Sequence, residues 1–199
     1  GPDFIKMLRG MFAIMIYDGD KKNCFVGRDP FGIKPMYYRE SENGVIFASE
    51  MKAFIFDPEM NGFTVDTKML QHYFTFQYVP EPNTISGKVS VLEASHYMIL
   101  NKDGIEKIVQ YEDYRFQTPT HESLDAKAEK LRRILTESVE YHMISDVEVG
   151  TFLSSGIDSA IITAISSRIN PGIKALTVGF DVASYSEIED AAEIAKHLN

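Results

Sequence analysis

The sequence contains a single cysteine, Cys24, and no apolar run long enough to span a membrane. One cysteine excludes a disulfide framework and fits a reducing compartment, so we expect a cytoplasmic protein with no membrane partner. Basic residues are also few, since 20 Lys and Arg against 29 Asp and Glu give a formal net charge of −9. This balance argues against nucleic acid as a partner.

Two common nucleotide-binding motifs are absent as well. No lysine follows the small-residue turn at 154–156, which excludes the usual P-loop, and the pattern G-x-G-x-x-G does not occur. The five histidines are scattered without the spacing of metal ligands. A nucleotide site in this chain would therefore need another kind of loop.

Such a loop is present at 147–159, which reads V-E-V-G-T-F-L-S-S-G-I-D-S. Alternating residues from Val147 to Leu153 predict a strand, 154–156 a tight turn and 158–169 a helix. Such a turn places backbone N–H groups and hydroxyls at the partly positive end of a helix. This arrangement favours binding of a phosphate or pyrophosphate anion. The alternative is an ordinary strand-to-helix turn with a serine-rich cap.

The pattern continues with a strand at 174–180 and a last helix that we expect Ser186 and Glu189 to cap. Strand, helix, strand, helix in this order predicts parallel pairing with right-handed crossovers. Ligands of such sheets bind at the carboxyl ends of the strands, here near Ser154 and near 178–179.

The first half of the chain has the pattern of antiparallel strands. Residues 8–17 are nearly all apolar, which predicts a strand covered on both faces, and 18–20 turn the chain into a returning strand at 23–28. Asn101-Lys102-Asp103-Gly104 predicts a second hairpin. Arg28 and Asp29 are expected to form a buried or half-buried ion pair that fixes a loop, in preference to a catalytic pair.

A polar, aperiodic segment at 117–122 predicts the domain boundary, followed by a long amphipathic helix from Leu124. We therefore expect one domain at 1–116, a linker at 117–122 and a second domain at 123–199.

The segments L-R-G-M-F-A-I-M-I-Y-D, C-F-V-G-R-D-P-F-G-I-K-P-M-Y-Y and F-A-S-E-M-K-A resemble the glutaminase domain of glutamine-hydrolysing asparagine synthetases. Ser154-Ser155-Gly156-Ile157-Asp158-Ser159 resembles the S-G-G-x-D-S signature of the ATP pyrophosphatase, or PP-loop, enzymes. The resemblance implies the C-terminal half of an α+β Ntn-hydrolase glutaminase with layered antiparallel sheets. The start of an α/β parallel-sheet PP-loop domain would follow it.

The same resemblance implies ATP and Mg²⁺ as ligands, with Asp158 close to the magnesium pyrophosphate. The residues that would bind ATP or pyrophosphate are Phe152, Leu153, Ser154, Ser155, Gly156, Ile157, Asp158, Ser159, Val178 and Gly179. Ser155 departs from the family, which usually has Gly there. If the position requires a positive φ, Ser155 is strained; if it does not, the hydroxyl adds a donor.

The substrates implied are glutamine, aspartate and ATP. An N-terminal Cys hydrolyses glutamine, ammonia passes through the interior, and it attacks β-aspartyl-AMP to give asparagine. Residue one of this chain is Gly1, and we interpret Cys24 as a core thiol, so we expect the nucleophile upstream and no catalytic residue of glutamine hydrolysis here. The chain alone is expected to be inactive in both half reactions.

Two other functions stay open from the sequence. One is a β-lactam-synthetase-like, ring-closing enzyme with a disabled glutaminase-like domain. The other is a non-catalytic regulatory or binding protein that keeps the fold, which the replacement at Ser155 motivates. A homodimer is also left open.

Overall fold

A computed structural model describes residues 1–60, 62, 64–115, 121–181 and 186–198. The chain divides into two compact units, Gly1–Gln117 and Thr118–Asn199. Most of the predicted linker, residues 117–120, lies outside the described residues. No helix in the described part of the chain is long and apolar enough to cross a membrane.

The first unit is built from two antiparallel sheets and one α-helix among its described residues. One sheet has the strand order β1-β2-β6-β7 and the other the order β4-β3-β5. The strands are β1 (Ala13–Asp18), β2 (Asn23–Arg28), β3 (Tyr37–Ser41), β4 (Gly44–Ala48), β5 (Ser90–Val91), β6 (His96–Asn101) and β7 (Gly104–Gln110), and the helix is α1 (Thr67–Phe76). Antiparallel layers with helices are the coarse fold that the sequence predicts.

Local side-chain chemistry explains both predicted hairpins. Between β1 and β2, the Asp18 carboxylate accepts the amides of Asp20 and Lys21 at 3.1 and 3.0 Å. Between β6 and β7, the Asn101 side-chain oxygen accepts the amide of Asp103 at 2.8 Å, and Gly104 takes a φ of 114°, which a side chain would strain.

The two sheets enclose the main core of this unit. Val26, Met98 and Leu100 of the first sheet pack with Met36 and Leu92, and side chains from β3 and β4 lie against them. A smaller cluster of Ile5, Phe25 and Tyr111 covers the other face of β2. Alternation along β2 thus buries both faces of that strand.

The prediction for 8–17 is wrong in extent and burial. The strand begins at Ala13, and Met15, Ile16 and Tyr17 are about half exposed or more. The strand is exposed because, among the described residues, β1 lies at the edge of its sheet and pairs only with β2.

The second unit contains α2 (Leu124–His142), β8 (Gly150–Phe152), α3 (Ile157–Ile169), β9 (Lys174–Leu176) and α4 (Ile188–Leu198). β8 and β9 pair in parallel, with Thr151 opposite Ala175. Both strands are shorter than predicted. The amide of Ala191 donates to the Glu187 carbonyl at 3.0 Å, so Glu187 precedes α4 as its cap position and Ser186 does not, one residue from our expectation.

Candidate functional site

The carboxyl ends of the two parallel strands are tied together. The Leu153 amide donates to the Leu176 carbonyl at 2.9 Å, one step beyond the β8–β9 ladder. The Thr177 hydroxyl donates to the Leu153 carbonyl at 2.8 Å. These bonds bring the start of the 154–159 loop next to residues 177–179, where the sequence predicts the ligand.

Two serine hydroxyls hold the turn that follows β8. Ser154 Oγ and Ser159 Oγ lie 2.8 Å apart, and the Ser154 amide donates to Ser159 Oγ at 3.1 Å. The Gly156 amide donates to Ser154 Oγ at 3.2 Å. The amides of Ser154 and Gly156 are therefore used inside the loop itself.

The next three amides begin α3. The first bond of the helix runs from the Ala160 amide to the Gly156 carbonyl at 3.1 Å, so the amides of Ile157, Asp158 and Ser159 precede it. None of the three has an acceptor among the residues that the structure describes. They form the partly positive end of a 13-residue helix, which favours an anion.

Asp158 lies at this helix end with an exposed side chain. Its carboxylate forms neither a hydrogen bond nor an ion pair within the described ranges. A carboxylate beside an anion site suits Mg²⁺, which is commonly held by one or two carboxylates together with substrate phosphates. The residues present thus fit a magnesium ion that arrives with a polyphosphate. Groups of three or more potential ligands are not found in the described part of the chain, so no all-protein metal cage is seen there.

Ser155 is unstrained. Among the described residues, the positive φ values outside glycine are at Lys22, Gln77 and Ser95. The loop therefore does not require the glycine that the family usually has at this position. The Ser155 amide points out of the loop and donates to Glu187 Oε2 at 3.3 Å, a contact that could not be expected from the sequence.

The apolar candidates differ in what they can offer a ligand. Phe152 and Val178 are 77% and 68% exposed, whereas the Leu153 side chain is 3% exposed. Leu153 can therefore line the site only through its backbone. At Gly179 an added Cβ would lie 2.0 Å from Ile188 Cδ1, so the start of α4 packs directly on this glycine.

In the first unit, Arg28 and Asp29 are both buried, but the ion pair predicted between them is wrong. The Arg28 guanidinium pairs with Glu81 instead, Nη1 to Oε1 at 2.9 Å. The Asp29 carboxylate accepts the amides of Phe31, Ile33, Lys34 and Phe12 at 2.9–3.3 Å. Burial opposes ionisation of Asp29, but these four amides outweigh it and lower its pKa.

Cys24 has the environment of a structural thiol. It lies in β2, packs against the core of Val26 and Met98, and burial raises its pKa. A nucleophilic thiol needs the opposite shift, toward the thiolate.

Comparisons with known proteins agree on one kind of relative. Residues 1–113 match the family model of the glutamine amidotransferase domain, and residues 130–199 match that of asparagine synthase. The chain is 38% identical over 191 residues to glutamine-hydrolysing asparagine synthetase 1 of Bacillus subtilis, covering 96% of this chain and 30% of that protein. It is 37% identical over 203 residues to a putative glutamine-hydrolysing asparagine synthetase of Mycobacterium tuberculosis, covering 100% and 31%. The chain thus spans less than a third of the length of these two relatives.

The match corrects one prediction. We expected residues 1–116 to be the C-terminal half of the glutaminase domain, but the amidotransferase match begins at residue 1 and precedes the asparagine synthase match. The prediction of a C-terminal half is therefore wrong.

Proposed function

This chain belongs to the glutamine amidotransferase family and continues into an asparagine synthase region, and from that premise we propose that the protein containing it is a glutamine-dependent asparagine synthetase. ATP would adenylate aspartate to β-aspartyl-AMP with release of pyrophosphate. Ammonia from glutamine would then displace AMP and form asparagine. The names of the relatives favour this function over a ring-closing synthetase and over a non-catalytic protein.

The observation that carries the proposal is the loop at 154–159. It places three adjacent amides, those of Ile157, Asp158 and Ser159, at the positive end of α3 and at the carboxyl edge of a parallel strand pair. A leaving pyrophosphate carries several negative charges, and these amides would bind its oxygens. We also propose a PP-loop fold for the second unit, in which β8 and β9 pair in parallel and are joined through α3. For the first unit, which has antiparallel sheets, we propose an Ntn-hydrolase fold.

Around the nucleotide we assign the remaining roles by exposure. Phe152 and Val178 offer apolar surface to the adenine or ribose, and the backbones of Leu153 and Gly179 border it. The Asp158 carboxylate would hold Mg²⁺, which when bound neutralises phosphate charge. Ser154 and Ser159 keep the turn closed through their paired hydroxyls.

Glutamine hydrolysis is assigned to a thiol other than Cys24, whose burial and raised pKa suit a core residue. Cys24 is the one cysteine of the sequence, so the nucleophile would lie outside these 199 residues. A cytoplasmic location and a homodimer stay predictions.

The test uses the full-length protein with ATP, Mg²⁺, aspartate and glutamine. We expect asparagine, AMP and pyrophosphate in equal amounts, with AMP formation dependent on aspartate. ADP as the product, or AMP formation indifferent to aspartate, would refute the proposal. Replacing glutamine by an ammonium salt should bypass the amidotransferase step and leave AMP formation dependent on aspartate.

A further inference from the structure

One backbone donor of the candidate anion loop is already occupied by an acidic side chain of the same chain. The Ser155 amide donates to Glu187 Oε2 at 3.3 Å, across 32 positions of sequence. Ser154 and Gly156 direct their amides to hydroxyls within the loop, so the Ser155 contact is the one that reaches another element. The carboxylate lies where a phosphate oxygen would be bound by that amide.

The position of Glu187 follows from the packing of α4. Gly179 has no side chain, and Ile188 lies so close that a Cβ there would be 2.0 Å from its Cδ1. Glu187 is the residue before the helix, and its carbonyl accepts the first helical bond from Ala191, which is 1% exposed. The anchored start of α4 therefore holds the Glu187 side chain beside the loop.

The contact has the properties of one that a ligand can displace. It is long for a hydrogen bond to a charged acceptor, and it is exposed to solvent. Within the described residues, Glu187 forms no ion pair that would retain it. The same amide cannot donate fully to Glu187 and to a phosphate oxygen, so one acceptor must leave when the other binds.

We propose that Glu187 is an internal competitor for the polyphosphate, a carboxylate that occupies the Ser155 amide in the ligand-free protein and is displaced when ATP or pyrophosphate binds. This rests on the proposed function, because it requires the 154–159 loop to bind those phosphates. Glu187 then lowers the affinity of the loop in two ways: it uses a donor, and its charge repels the incoming anion. Release of Glu187 requires only side-chain rotation, with the turn unchanged.

The experiment measures binding of Mg·ATP, pyrophosphate and adenosine to the full-length protein by calorimetry. Glu187→Gln and Glu187→Ala should each tighten Mg·ATP and pyrophosphate by about three- to fivefold at low salt, as expected for an exposed charge contact. Adenosine, which has no phosphate, should bind equally to all forms. The gain should shrink at high salt, because the charge is exposed.

Glu189→Gln is the matched control, since Glu189 is an exposed carboxylate in the first turn of the same helix. It changes the net charge equally and should alter affinity less than twofold because it leaves the Ser155 amide untouched. Thermal unfolding of each variant shows that the fold is retained.

Weaker binding of Mg·ATP by Glu187→Ala would overturn the proposal, because it would mean that the carboxylate supports the loop. Equal tightening by Glu187→Gln and Glu189→Gln would also overturn it. The gain in affinity would then come from the change in net charge and not from the contact with the Ser155 amide. If the wild-type protein binds neither ATP nor pyrophosphate, the proposed function fails first and this inference falls with it, an outcome distinct from the other two.

Discussion

Arg28 and Glu81 form an ion pair across 53 positions of sequence, with Nη1 and Oε1 2.9 Å apart. The Arg28 side chain is 6% exposed, and its guanidinium also donates to the carbonyls of Lys34, Leu92 and Gly32. One side chain thus joins the loop after β2 to the segment before β6. Arg28 and Asp29 thus both hold the R-D-P-F-G-I-K-P loop, but they do so through Glu81, backbone carbonyls and backbone amides and not through an ion pair with each other.

We expect Glu81→Gln to lower the free energy of unfolding by about 1–2 kcal/mol, because it leaves the nearly buried Arg28 without its counter-charge. Glu81 is itself 39% exposed, so water replaces part of the interaction. Urea unfolding of the full-length protein measures the change. Glu42→Gln removes an equivalent charge from an exposed position of the same unit and should change stability by less than about 0.5 kcal/mol. Equal effects of the two substitutions would contradict the role of the pair.

Asp29→Asn should destabilise the protein by about 2–3 kcal/mol at neutral pH. The side-chain NH₂ of Asn is a donor, so it would face backbone N–H groups that now donate hydrogen bonds to the carboxylate. The folded pKa of Asp29 is lowered, so its contribution is present above the unfolded pKa and is lost as the pH falls through the folded value. The stability difference between wild type and variant should therefore shrink on acidification. A difference constant from neutral pH to below the folded pKa would contradict this assignment.

Tyr111→Phe tests how the stability of the protein depends on pH in the alkaline range. The Tyr111 hydroxyl donates to the Arg28 carbonyl at 2.7 Å, and burial, followed by the charge of Asp29, raises its pKa to about 12. The contribution of the Tyr111 hydroxyl to stability is fully present below the unfolded pKa of 10.0, and it is lost as the pH rises toward about 12. The variant should lose about 1 kcal/mol at neutral pH, and its deficit should diminish above the unfolded pKa. Spectrophotometric titration of wild type and variant identifies the late-titrating phenol.

Asp158→Ala should reduce aspartate-dependent AMP formation by on the order of 100-fold or more, because the carboxylate assigned to Mg²⁺ is lost. Glutamine hydrolysis should remain largely intact. Asp146→Ala removes another exposed carboxylate of the second unit and should leave both activities unchanged. If both activities fell together in a folded Asp158→Ala protein, the assignment of Asp158 to the nucleotide site alone would be wrong.

Ser155→Gly should leave the kcat/KM for ATP at least as high as in the wild type. The backbone at Ser155 needs no positive φ, and its side chain is exposed, so nothing in the described structure depends on the hydroxyl. A complete loss of activity would show that the hydroxyl contacts a substrate.

The features predicted from sequence are those in which a short segment determines its own conformation. Asp18 and Asn101 bond to amides two or three residues ahead, so their turns are recognisable from local sequence. Asp66 shows the same local bonding in the structure, since its carboxylate accepts the amides of Lys68 and Met69 at the start of α1. The small residues at 154–156 predicted the strand-to-helix turn for this reason.

Long-range partners and strand ends could not be predicted in the same way. Nothing near Arg28 in sequence points to Glu81, and nothing near Ser155 points to Glu187, because each contact depends on how distant segments pack. Alternation suggested a strand from Val147, but pairing begins at Gly150, and Val147 is 76% exposed. A strand extends only where a neighbour offers hydrogen bonds, which a single-sequence pattern does not show.

The paired hydroxyls of Ser154 and Ser159 have a thermodynamic consequence. They hold the turn closed through contacts within the chain itself, so the turn's backbone freedom is lost in folding and not in ligand association. Binding of ATP to the 154–159 loop should therefore carry little entropic cost from ordering of the main chain. With either serine replaced by alanine, the turn would have to become ordered when ATP binds. The entropic cost of that ordering would then oppose ATP binding and slow it.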